Sequence, residues 1–115
     1  MAKPLMIVRG DTVPIQFGPL EKKTASGTWV VPTFTGATPR LVITDPNGVV
    51  LYARTGAFTD VAAGLGDAPQ LAGDFSGSGV VFAFAEVEVT YSGGAVESFP
   101  KGPAKHPVII SDDLD

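Results

Sequence analysis

The 115-residue chain has no cysteine, which removes disulfide frameworks and thiolate zinc sites from consideration. A chain of this length can bury roughly two-thirds of the surface its unfolded form exposes, so it needs no such staples. Histidine occurs once, at His106, and no serine stands in a Gly-x-Ser-x-Gly elbow. Acid–base chemistry needs groups that converge in a cleft. His106 lies in a Pro-rich connection and reads as a loop residue. The chain is therefore expected to be no enzyme.

Positive charge is also scarce. Eight Lys and Arg face twelve Asp and Glu, giving a net charge of −4. Phosphate contacts supply most of the affinity of nucleic-acid binders, so scattered cations on an acidic chain exclude DNA or RNA as the expected partner. No apolar run reaches the roughly 18 residues that span a bilayer. Met1–Val8 is apolar apart from Lys3, but Arg9, Gly10 and Asp11 end it. It is too short for a signal peptide and has no small-residue cleavage site, so the expectation is a chain made and kept without secretion, away from membranes. Gly73, Gly77 and Gly79 lack the Lys-Ser/Thr of a phosphate loop, and no cofactor is expected.

What the sequence does have is apolar residues, 44% against 17% charged, the reverse of a disordered chain. So low a charge leaves little polar cover, and some apolar surface is expected to lie against a partner. These residues come in short β-rich runs between Gly, Pro and Asp turns. Leu5–Val8 is the first run. Arg9-Gly10-Asp11 is a turn, and Val13–Phe17 alternates with Val13, Ile15 and Phe17 on one face. Glu21–Ser26 reads as loop, and Thr28–Thr33 as an edge strand interrupted by Pro32. Arg40–Thr44 and Val49–Ala53 form a hairpin through Asp45-Pro46-Asn47-Gly48, each residue suited to its turn position. Gly56–Gly79 has no strong period and reads mostly as a long loop, with room for a short helical turn at Asp60–Gly64 or Ala68–Ala72; loops this long are usually functional or mobile.

Val80–Tyr91 is the strongest strand. Its odd positions are all apolar, while its even positions change from Val80, Phe82 and Phe84 to Glu86, Glu88 and Thr90. The first half reads as covered on both faces and the second as wet on one. Ser92-Gly93-Gly94 turns into Ala95–Phe99, and Pro107–Ile110 is the last strand before the acidic tail Ser111–Asp115. The expected fold is all-β: one domain, an immunoglobulin-like sandwich of seven or eight short antiparallel strands.

Few residues carry chemistry. Arg9-Gly10-Asp11 matches the integrin-binding tripeptide, but Gly and Asp are ordinary turn residues. Glu86 and Glu88 share a strand face, as solvent-exposed alternating residues do. Phe82, Phe84 and Phe99 are expected in the core. Trp29, Phe34, Phe58 and Phe75 lie in or beside loops, where core packing and partner contact both remain open; aromatics are enriched at interface centres. The partner-contact candidates are Leu5 and Ile7 on the first strand, the aromatics Trp29, Phe58 and Phe75, and Asp112 and Asp113 in the tail.

Ile7-Val8-Arg9-Gly10-Asp11-Thr12, followed by Pro14-Ile15-Gln16-Phe17, resembles the opening of small tailed-phage virion domains, in particular the N-terminal domain of the phage baseplate upper protein. Phe34-Thr35-Gly36-Ala37-Thr38-Pro39-Arg40-Leu41-Val42-Ile43 is similar to a second segment of that group. Glu86-Val87-Glu88-Val89 with Gly93-Gly94, and Gly102 with Val108-Ile109-Ile110, are similar to its closing strands. Val61–Gly79 departs from the group's pattern. The resemblance implies an immunoglobulin-like adaptor without an active site, assembled in a host cytoplasm into a virion's tail, baseplate or fibre apparatus. Its implied partners are other virion proteins or further copies of itself. Alternatives are a capsid decoration or head-fibre protein, and a receptor- or carbohydrate-binding module with Trp29 on its platform.

Overall fold

The protein is described by a computed structural model covering residues 4–100 and 105–112. The described residues form strands β1 (Leu5–Val8), β2 (Ile15–Phe17), β3 (Lys22–Lys23), β4 (Trp29–Val30), β5 (Thr38–Thr44), β6 (Val50–Thr55), β7 (Ala57–Asp60), β8 (Leu65–Ala68), β9 (Val81–Thr90), β10 (Val96–Phe99) and β11 (His106–Ser111). No helix occurs among them. The fold is all-β, as expected.

β9 organises the molecule. Its odd residues Ala83, Ala85, Val87 and Val89 are buried, following the two-residue period of a strand with one face inward. It lies at the centre of a six-stranded sheet of order β1-β11-β9-β5-β6, with β10 also paired to β9. A second sheet runs β2-β8-β7, and β3 pairs with β4. Leu41 and Ile43 of β5, Tyr52 of β6, Phe99 of β10, Val108 and Ile110 of β11 and Ile7 of β1 line the inner face of the large sheet. Against them pack Ile15 and Ala68 of the second sheet and Leu20, Phe34 and Phe75 from loops, in one core.

Phe34 is the hub of that core. Its ring is 1% exposed. It stacks on Phe58 at 4.7 Å and on Tyr91 at 6.2 Å, and meets Phe99 edge-on at 5.6 Å. The hairpin turn is built as its residues require. Asp45 Oδ1 accepts the Asn47 and Val49 amides, both at 2.9 Å, and Gly48 takes a φ of +86°.

The strand layout departs from the sequence expectations in four places. The strands outnumber seven or eight. Lys22–Lys23 pairs with Trp29–Val30 inside an expected loop. The first and last strands pair in parallel, Leu5 opposite Val108 through Val8 opposite Ser111, where only antiparallel pairs were expected. Parallel neighbours need a long connection, and here nearly the whole chain lies between them. Finally, Gly56–Gly79 is not one long loop, because it contains β7 and β8. Their sequences, Ala-Phe-Thr-Asp and Leu-Gly-Asp-Ala, have neither period nor strong β-propensity. Pairing with distant β2, Ile15 to Ala68 and Phe17 to Gly66, organises them instead. Gly56 is the corner where the ribbon leaves one sheet for the other. Its amide bonds Pro39 O, and a Cβ there would lie 2.2 Å from the Asp67 carbonyl oxygen.

Candidate docking surface

Residues directly opposite in register share a sheet face. On the outer face of the large sheet, Met6 of β1 lies beside Ile109 of β11, which lies beside Phe82 of β9. The next row holds Pro107, Phe84, Thr44 and Val50. Met6 is 62% exposed, Phe82 64% and Phe84 38%. These values overturn the expectation that Phe82 and Phe84 fill the core and that the first half of β9 is covered on both faces. The apolar even positions mark an open patch, because no described element packs over them.

Taking about 200 Å² per aromatic side chain, the two Phe rings alone leave roughly 200 Å² uncovered. Met6, Pro107 and Ile109 extend the patch into the range of the largest patches on typical monomers, about 300–600 Å² and often functional. Further along the same face the residues turn polar: Glu86 beside Val42, then Glu88 beside Arg40. Arg40 Nη1 donates to Glu88 Oε1 at 2.9 Å. The face is therefore apolar at one end and charged at the other, matching the change along β9.

The sequence-derived contact candidates fall elsewhere. Ile7 is buried in the core and Leu5 is half-buried against it; their neighbour Met6 faces out. Phe58 is half-buried, stacked on Phe34. Phe75 is buried, stacked on Tyr52 at 5.5 Å. Trp29 is exposed, on the wall of a cleft. Asp113 lies outside the described residues.

Asp112 belongs to a polar clamp on an irregular segment, and Phe75 follows the Asp74 of a second one. Asp112 Oδ1 accepts Arg9 Nη1 at 2.7 Å and its Oδ2 accepts the Gly79 amide at 2.7 Å. Those two interactions, the Gly79 amide foremost, hold the Asp112 carboxyl below its ordinary range. Arg9 Nη1 also donates to Gly79 O at 2.5 Å, and Nε to Ser76 O at 3.3 Å. The Arg9 side chain is almost wholly enclosed, so the Arg-Gly-Asp turn offers no free guanidinium to an integrin.

In the second clamp, Arg54 grips Asp74 with two bonds of 2.5 and 2.9 Å. It lies over the Tyr52 ring, 5.1 Å from its centre. Arg54 is the main cause that lowers the Asp74 carboxyl below its ordinary range, and burial is the main cause that raises the Tyr52 phenol. Asp74 also accepts the Leu71 amide at 2.6 Å, and Tyr52 donates to Pro69 O at 2.5 Å. These bonds fasten the 69–75 segment to β6 and set Phe75 into the core.

No protein-family model matches the chain, and no curated protein matches it.

Proposed function

We propose that this is a non-enzymatic virion protein that docks other protein subunits through the apolar half of its large sheet. The carrying observation is the uncovered row Met6–Ile109–Phe82 with Phe84 beside it. A face of this kind is stabilised when a partner removes it from water, at about 25 cal/mol per Å². The charged end, with Arg40 and Glu88, supplies the polar rim that orients a partner.

The finer reading is an immunoglobulin-like sandwich, the six-stranded sheet lying over β2-β8-β7. It acts as an adaptor in a phage tail, baseplate or fibre apparatus. Its support is the resemblance of Ile7–Phe17, Phe34–Ile43 and Glu86–Val89 to phage virion domains. In this fold those segments supply β1 and β2, β5, and the centre of β9. A capsid decoration or head-fibre protein is the alternative, and copy number separates the two. Very many copies per particle means the head; a small symmetric set means the tail.

The test is a photo-crosslinking residue in place of Phe82 in assembled particles. The expected product joins this chain to another virion subunit, and Phe82→Glu abolishes incorporation without unfolding the protein. A purified chain that stays monomeric and binds no virion component refutes the proposal.

A further inference from the structure

On the opposite side of the large sheet from the docking patch, a cleft of about 870 Å³ opens between the sheet's inner face and the Phe17–Glu21 segment. Its floor is apolar: Leu41, Val87 and Phe99. Trp29 stands in its wall, 58% exposed, on the short β3–β4 ribbon. A half-exposed indole on a two-stranded ribbon leaves a large apolar ring face in water, with nothing in the described fold using it.

The polar lining is equally uncommitted. Gln16, Glu21 and His106 line the cleft, and none of their side chains makes a hydrogen bond or ion pair with another described residue. No Lys or Arg stands among the described residues of the lining. An anionic ligand would meet the Glu21 carboxylate and no counter-charge from the described lining, so phosphate and acidic ligands are disfavoured.

A ligand matching these walls carries many hydroxyl groups and no negative charge. It also needs a flat C–H face for an indole. We propose that the cleft binds a neutral saccharide, with one sugar ring against Trp29 and its hydroxyls donating to Glu21 and exchanging bonds with Gln16 and His106. The volume falls within the roughly 300–1,000 Å³ of small-ligand sites. This site lies away from Met6, Phe82 and Phe84, so it stands or falls independently of the docking proposal.

Trp29 is the only tryptophan, so intrinsic tryptophan emission reports on the cleft alone. The experiment probes the full chain on a printed array of neutral and sialylated glycans, then titrates the neutral hits while following that emission. Binding of neutral glycans with a shift in emission is expected. Trp29→Ala should weaken it at least about tenfold. Glu21→Gln should weaken it less, and Phe82→Ala should leave it unchanged. Because Trp29 is exposed, Trp29→Ala keeps the fold, which circular dichroism confirms. The proposal is overturned by any of three results: no neutral glycan moves the emission; glycan binding survives Trp29→Ala; or only sialylated glycans respond.

Discussion

Phe34→Ala and Phe82→Ala remove the same atoms from opposite surroundings. The Phe34 ring is 1% exposed and touches three other aromatic rings. With about 200 Å² of ring surface and about 25 cal/mol per Å², its transfer to water costs up to about 5 kcal/mol. Alanine keeps part of that burial, but the cavity left behind adds its own cost, giving about 3–5 kcal/mol for Phe34→Ala. Phe82 shields only about a third of its surface, so its truncation costs about 1 kcal/mol, comparable to the full span of strand propensities. At about 4 °C per kcal/mol for a domain of this size, the midpoints should fall by about 12–20 °C and about 4 °C respectively. Thermal melts followed by far-UV circular dichroism measure both midpoints, and urea unfolding with an unchanged denaturant slope certifies that only stability has moved. Equal losses would refute the assignment of the outer face as open. A loss below about 1.5 kcal/mol for Phe34→Ala would refute its place as the hub joining the two sheets.

Three further outcomes are expected. Gly56→Ala drives a Cβ against the Asp67 carbonyl oxygen; something must shift, and a loss of at least about 2 kcal/mol is expected in the same unfolding assay. The Asp74 and Asp112 carboxyls are held below their ordinary range, so their stabilisation is full above about pH 4 and is lost as pH falls through their lowered values. Asp74→Asn should flatten that acid arm and cost about 1–2 kcal/mol at neutral pH, read as a shift in the urea midpoint against pH. The Tyr91 phenol is pushed up to about 12 by burial and by its 2.6 Å bond to Glu97. Its contribution is complete below pH 10 and lost as pH rises toward 12, and Glu97→Gln should bring the tyrosinate absorbance change to lower pH.

Strands whose pattern is local were legible. β9, the β5–β6 hairpin and its Asp-Pro-Asn-Gly turn follow from alternation and turn chemistry within a dozen residues. β7 and β8 were not, because their order comes from pairing with β2, some fifty residues away in sequence, and from the room that Gly66 leaves for the Phe17 ring. The exposure of Phe82 was misread for a related reason. Period-two alternation separates two faces of a strand, but it does not say whether the second apolar face has a cover within the same chain. The change from Phe to Glu along the even positions was the available signal of a patch with an edge. The contact candidates Ile7 and Phe75 are buried, because apolar character alone does not give the direction in which a side chain faces. One step along β1, Met6 has the same character and the opposite orientation.

The parallel seam between β1 and β11 has a consequence for synthesis. Arg9 and Asp112, which close its end, are 103 residues apart in sequence, and contacts of such separation form late. The row Met6–Ile109–Phe82 draws one residue from each end of the chain and one from its central strand. A polypeptide that stops short of β11 leaves β9 with an unpaired edge and never assembles that row. On the docking proposal, a neighbour that binds this row would discriminate against chains in which β11 has not yet paired with β9.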